Sequence, residues 1–410
     1  MKIWMRLLAG SVIGVLLGMY LPEAGGDTRR FFELASEIAL SVGRYVIFPL
    51  VLFSLAAGTY ELRSERKLLR VYLKTFGLIA VTGAVLVTFG TGGVLVFSPA
   101  RIPPIFQEAP AFELPTVLDT VFQVFPRNMF AMFADAGTQL LPLYVLAVIL
   151  GLLFAGEQFG TEAVAAFFDS AGRLMYRLNS LVIEIIGVGF VAFGARLIFN
   201  LREVAEFEIF APLILVLVIM TLVLVLGVYP LLIYLLGGRR NPYIWLYAML
   251  APGLAGFFSA DAFLSLGVLT RIGRENLGLP RMVGSTVFPL FAIIGKAGSG
   301  LVASAVFIVI LQSYTALEIT FAQALWVMTT SFGISLLLGP VPGSGVLVAL
   351  GMLSNAHGGG MEEAFVMIQP IAPLLIALGV FLDVMTAGFC AHLIAQSEDL
   401  RARIDPMDFA

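Results

Sequence analysis

VFPLFAIIGKAGSGLVASAVFIVIL, residues 287–311, carries a single ionisable side chain, Lys296. A run this long and apolar crosses the roughly 30 Å hydrocarbon core of a bilayer as a helix. Pro289, Gly295 and Gly298 interrupt it, because proline removes a backbone donor and glycine loosens the helix. An ammonium near the bilayer centre costs on the order of 2.5–3.5 kcal/mol on insertion scales. Carbonyls freed at a break suit a group with three donors, and a carboxylate would serve as well. The stretch reads as a broken membrane helix with a positive charge at the break, and everything around it bears on what that charge does.

The rest of the chain agrees with a membrane setting. Its 410 residues are 60% hydrophobic and only 12% charged, with mean hydropathy +0.99. Soluble domains are about one quarter charged, so the expectation is an all-α polytopic membrane protein. A net charge of −3 offers no large basic surface for nucleic acid. One cysteine, Cys390, excludes an intrachain disulfide and a cysteine-based zinc cage. Two scattered histidines give no nucleophile–base constellation. No phosphate-binding loop or soluble nucleotide domain is present, which argues against an ATP-driven pump. No metal site and no cofactor are expected. The first span reads as retained, with no convincing cleavage site behind it.

Eight full spans are expected, at about 4–21, 33–58, 72–97, 128–156, 165–199, 209–237, 282–312 and 363–396. Lys2, Arg6, Arg63, Arg66, Lys67, Arg70, Lys74, Arg239, Arg240, Arg271, Arg274, Arg281, Arg401 and Arg403 fall on one side if both termini are cytoplasmic; Arg29, Arg30, Arg101 and Arg127 fall on the other. The larger basic group marks the cytoplasmic side, and a bacterial inner (plasma) membrane is the expected location. The proline-rich stretch from residue 98 to 127 reads as an external loop.

Two shorter segments, 243–273 and 321–354, are apolar but interrupted halfway, by GLAGFFSADAFLSLG (253–267) and LLLGPVPGSGVLVALG (336–351). Each arm is too short to cross alone. Non-helical backbone is not tolerated against lipid, so such tips must be buried in protein or line a cavity. Two kinked helices of an ordinary bundle are one reading. A pair of re-entrant hairpins, each followed by a long span with its own polar interruption, is the other, and it matches the broken helices that build transporter sites near the midplane.

NMFAMFADAGTQLLPLYVLAVILG (128–151), LMYRLN (174–179), VFPLFAIIGKAGSG, PVPGSG (340–345) and ALGVFLDVMTAGF (377–389) occur in an order and spacing similar to the dicarboxylate/amino-acid:cation symporter family, which includes the glutamate transporter homologues. The resemblance implies eight transmembrane helices plus two re-entrant hairpins, a homotrimer, and an elevator mechanism in the lipid bilayer. It divides the chain into scaffold at 1–71, transport-unit span and external loop at 72–127, scaffold at 128–208, and transport unit at 209–410. Substrate is implied between the two hairpin tips and the middles of the last two spans.

The departures are chemical. Where sodium-coupled members read Asn-Met-Asp-Gly-Thr, this chain has Gly295, Lys296, Ala297, Gly298 and Ser299. Sodium ligands of the eighth span match Cys390 and Ile394; of the third-span cluster Thr82 remains, with Ile79 and Gly83 at the other two positions. Hard cations need several oxygen ligands, so sodium independence is expected, with Lys296 as a built-in cation. The lysine either cycles through deprotonation during transport or stays locked in an ion pair, with Asp383 and Asp261 as candidate partners. Asp383 matches the family carboxylate that takes a substrate amino group; its other reading is plain neutralisation of Lys296. Thr386 stands where the family places an arginine for an acidic substrate side chain, which disfavours a dicarboxylate and favours a neutral amino acid or another amine-bearing metabolite. Ser259, Asp261, Ser265, Gly343, Ser344, Gly345, Asp383, Thr386 and Cys390 form the expected substrate pocket. Gly295, Lys296, Gly298 and Ser299 form the expected cation-mimic or proton-coupling group. Glu184 either joins that group by carrying protons or pairs with a nearby basic residue. Two alternatives stay open: a sodium- or proton-coupled symporter like the rest of the family, and an ion or anion channel on the same scaffold.

Overall fold

The computed structural model describes every residue except 1, 22–26, 104–123, 126–131, 133–139, 155–159, 161, 205, 237–240, 316–318, 340–344, 362 and 403, and the described residues are helical throughout their regular structure. In chain order the helices are α1 (Ile3–Tyr20), α2 (Asp27–Arg44), α3 (Ile47–Ser64), α4 (Leu68–Phe97), α5 (Leu140–Phe154), α6 (Glu162–Ile185), α7 (Gly189–Arg202), α8 (Phe207–Leu222), α9 (Tyr229–Leu236), α10 (Tyr243–Ala248), α11 (Leu250–Ser259), α12 (Ala262–Glu275), α13 (Arg281–Ile294), α14 (Ala297–Thr315), α15 (Phe321–Ser335), α16 (Gly345–His357) and α17 (Ala372–Ser397). A π-helical segment, Val223–Val228, joins α8 to α9.

Among the described residues, seven continuous or near-continuous runs are long and apolar enough to cross a membrane: Ile3–Tyr20, Asp27–Ser64, Leu68–Phe97, Glu162–Arg202, Phe207–Leu236, Arg281–Thr315 and Ala364–Ser397. Each coincides with an expected span. The second is longer than the expected 33–58 and is interrupted at Tyr45–Val46, between α2 and α3. The expected span at 128–156 is described only as the shorter apolar helix α5; most of its first half, and the bulk of the external loop, lie outside the described residues. The two interrupted segments become α10–α11–α12 and α15–α16, and the tip of the second, 340–344, also lies outside them.

Two packing groups organise the bundle. In the first, α1 and α2 lie on α7, and α3 lies on α5 and α6. Close approach makes the first contact: a Cβ on Gly14 would stand 2.1 Å from the Val191 carbonyl oxygen. In the second group α14 is central, packed by α4, α15, α16 and α17, while α11 and α13 also lean on α17. The hydrophobic window of Arg281–Thr315 is 94% buried inside the protein, so the helix that carries Lys296 is sheathed by other helices rather than by lipid. The groups meet where α13 packs on α3, α11 on α1, and α12 on α2 and α6.

The segment after α17 folds back over the base of the first hairpin. The amide of Ala402 donates to the Gly278 carbonyl at 2.9 Å, and that of Ala410 to Asn276 Oδ1 at 2.9 Å. Phe409 stacks on Tyr247 with ring centroids 5.6 Å apart, and Lys2 Nζ donates to the Pro406 carbonyl at 3.1 Å.

Candidate functional site

Between α13 and α14 the helix opens at Gly295 and Lys296. The helix ends there because Gly295 leaves helical geometry (φ −89°, ψ 50°). The α14 side of the break then exposes a helix N-terminus, with free amides and positive dipole that attract a carboxylate. Asp383 of α17 fills that position. Its Oδ1 accepts from the amides of Gly298 at 2.8 Å and Ser299 at 3.0 Å, and its Oδ2 accepts from Ser299 Oγ at 2.7 Å. Gly298 permits the approach, since a Cβ there would lie 2.3 Å from Leu382 Cβ and 2.6 Å from the Asp383 amide. A carboxylate offers about four acceptor directions, so roughly one stays open.

Lys296 is 5% exposed. Among the described residues its Nζ makes no hydrogen bond and no salt bridge; its charge faces Asp383 and Asp261 from beyond contact distance. Gly345, the first described residue after the second hairpin tip, stands over Ser299, with its Cβ position 3.7 Å from Ser299 Oγ. Gly343 and Ser344 lie outside the described residues.

The first hairpin tip is the turn from α11 to α12. Asp261 caps α12 by accepting from the Leu264 amide at 2.8 Å. Ser259 Oγ donates to the Ala255 carbonyl and accepts from the Asp261 amide, and Ser265 Oγ donates to the Asp261 carbonyl at 2.6 Å. Both hydroxyls thus hold the tip in shape. Asp261 does not pair with Lys296, as one reading of the sequence expects: its salt bridge is to Arg44, the last residue of α2. Arg44 Nε donates to Oδ1 at 3.1 Å, and Nη2 donates to Oδ2. A cavity of about 300 Å³ adjoins this bridge, lined among others by Arg44, Arg196, Asn200, Ser259 and Asp261.

Farther along α17, the Thr386 hydroxyl donates to the Leu382 carbonyl at 2.6 Å and lies 2.7 Å from the Tyr229 hydroxyl. Tyr229 directly follows the π-helical segment and stacks on Phe389 at 4.8 Å. Its hydroxyl thus meets the side chain of Thr386. Cys390 is fully buried one turn on. Glu184 stands away from the break: it pairs with Arg271 of α12 at 3.1 Å and is 47% exposed. Arg271 lies ten residues along α12 from the Asp261 cap, about 15 Å of helix.

Arg44 and Tyr229 are the site residues that sequence reasoning missed. Among the described residues, no group of three or more His, Cys, Asp and Glu side chains is placed to hold a metal ion.

A helix broken at its buried middle, capped by a carboxylate from a neighbouring span and flanked by two interrupted hairpins, is an arrangement for a solute rather than for covalent chemistry. Comparison with known proteins places it. The family model described as the sodium:dicarboxylate symporter family matches residues 3–397. The chain belongs to that family. It is a membrane transporter of the amino-acid and dicarboxylate class, and family membership carries the glutamate-transporter fold. Similar members include the neutral amino acid transporter B(0) of Mus musculus, 25% identical over 83% of this chain and 71% of that one. The neutral amino acid transporter A of Homo sapiens is 23% identical over 83% and 71%. An excitatory amino acid transporter of Onchocerca volvulus is 22% identical over 97% and 90%.

Proposed function

We propose that this family member carries a neutral amino acid or a related amine-bearing metabolite by an elevator movement, without sodium, with Lys296 in place of a bound cation. The observation that carries the proposal is the buried Lys296 ammonium at the α13–α14 break, facing a carboxylate that holds the opposite lip of the same break. A fixed positive charge there keeps the opened helix in one shape, as a metal ion would, and it occupies the stretch that matches the family's cation-binding motif. The scaffold comprises α1–α3 and α5–α7. The moving unit comprises α4 and α8–α17, and the two packing groups support this division. The assembly is a homotrimer, with both termini in the cytoplasm of a bacterial cell.

Thr386 in place of a guanidinium, with Tyr229 hydrogen-bonded to it, leaves a second substrate carboxylate without a cationic partner. The names of the neutral amino acid transporters among its relatives agree with that preference. The open acceptor direction of Asp383 suits a substrate ammonium.

Uptake into liposomes tests the reading, with sodium and proton gradients imposed separately against a panel of amino acids and organic acids. Uptake is expected to persist without sodium. An absolute sodium requirement sinks the proposal, as does a Lys296→Met variant that transports at the unaltered rate.

A further inference from the structure

We propose that Arg44 is a detachable counter-ion for the first hairpin, so that the moving unit leaves the scaffold only when its cargo brings one positive charge. This rests on the division into scaffold and moving unit given above.

Lys296, Asp383 and Asp261 are buried around the break and the first hairpin tip, at 5%, 5% and 1% exposure. Lys296 balances one of the two carboxylates. The other balance comes from Arg44, which belongs to α2, and whose own side chain is 34% exposed. While α12 lies on α2 the set is neutral. Arg196, the other arginine lining the adjoining cavity, belongs to α7 and stays with the scaffold too. Once α12 slides away from α2, Asp261 loses both Nε and Nη2 of Arg44, and the buried group at the break and tip holds one negative charge in excess. Arg271 keeps Glu275 of its own helix when it leaves Glu184, and Arg281, at the start of α13 and 22% exposed, parts from Glu61 and Asp169 away from that group.

A buried charge stripped of its partner lowers the population of the state that carries it by about a hundredfold or more. The empty unit therefore stays docked. A cargo that supplies a single positive charge restores neutrality at the break and tip and frees the unit. Two sources provide that charge: an organic monocation, or a neutral amino acid accompanied by a proton. A substrate ammonium fits the open acceptor direction of Asp383, which leaves Lys296 to answer Asp261.

The docked contact contains its own reporter position. A Cβ built on Gly43 would lie 3.5 Å from Leu264 Cβ, within the usual disulfide range of roughly 3.5–4.5 Å. The full chain with Gly43→Cys and Leu264→Cys, in liposomes, is expected to cross-link rapidly when empty. Adding Arg44→Gln should slow cross-linking at least tenfold, and Arg44→Lys should restore it. The probes lysine and ethanolamine (net monocations), alanine (neutral) and aspartate (net anion) are then compared at fixed pH. The cations should slow cross-linking at least tenfold; or alanine should do so only as pH is lowered, which identifies the charge as a proton. In Asp261→Asn this dependence on cargo charge should vanish.

A cross-link rate unmoved by every variant and every probe means that α12 does not leave α2, and the division into units fails with it. Variants that undock while aspartate, or alanine at every pH, acts as strongly as lysine leave the division standing and overturn the charge requirement. A panel in which no cation and no lowered pH has an effect overturns it equally. An unchanged thermal midpoint for Arg44→Lys serves as the folding control.

Discussion

Two aspartates cap two helices in this protein, and their counter-charges come from different places. Asp383 crosses from α17 to cap α14, and the nearest cation, Lys296, sits on the same broken span. Asp261 caps its own helix, α12, and its cation arrives from α2, 217 residues away. The first arrangement is self-contained and travels as a piece. The second holds only while two packing groups touch. Permanent and conditional neutralisation thus stand side by side in one site.

The largest expected effect attacks the permanent pair. Asp383→Ala leaves the Gly298 and Ser299 amides without their acceptor and Lys296 without its nearest counter-charge, a loss of about 3–5 kcal/mol by the cost of stranding a buried charge. Uptake should fall to background and the thermal midpoint should drop sharply; a stable, active variant would show that Asp383 is not the partner of the break. Next is Lys296→Met, which strands Asp383 but leaves its three hydrogen bonds in place. Transport should fall about tenfold or more, with a smaller loss of stability, because those donors still hold the carboxylate. Liposome uptake and thermal unfolding, run in parallel, separate the two variants.

Gly298→Ala tests the geometry rather than the charge. Its methyl group would press on Leu382 and on the Asp383 backbone, and overpacking of this kind costs about 1–3 kcal/mol. Calorimetry of the purified protein should register it, and an unchanged midpoint would mean that α14 and α17 sit farther apart. The smallest expected effect is Tyr229→Phe. Thr386 keeps its bond to the Leu382 carbonyl, so only one hydrogen bond is lost, about 1 kcal/mol. The sharper readout is the panel of accepted substrates, which should widen toward polar side chains if Tyr229 closes that end of the pocket.

The contrast between the two aspartates also marks how far the sequence could be read. Hydropathy placed seven of the eight expected spans because each is a long apolar run, and the Gly295–Lys296 break was visible because charge and glycine are rare there. Asp383 was legible as well, since it lies in a recognisable motif. Arg44 was not: it ends a polar-faced helix, and nothing local connects it to a residue 217 positions on. Tyr229 was hidden for another reason. The six-residue π segment before it rotates the helix face, and a periodicity of 3.6 cannot foresee that turn. The serines of the first hairpin look like ligand hydroxyls in the sequence, whereas the fold commits them to the tip's own backbone.

The folded-back chain end offers a practical consequence. Because the Ala402 and Ala410 amides are hydrogen-bonded to Gly278 and Asn276, deuterium uptake at these two positions reads out any loosening of the hairpin base. A rearrangement deep in the bundle would thereby announce itself at a peptide that proteases and mass spectrometry reach with ease.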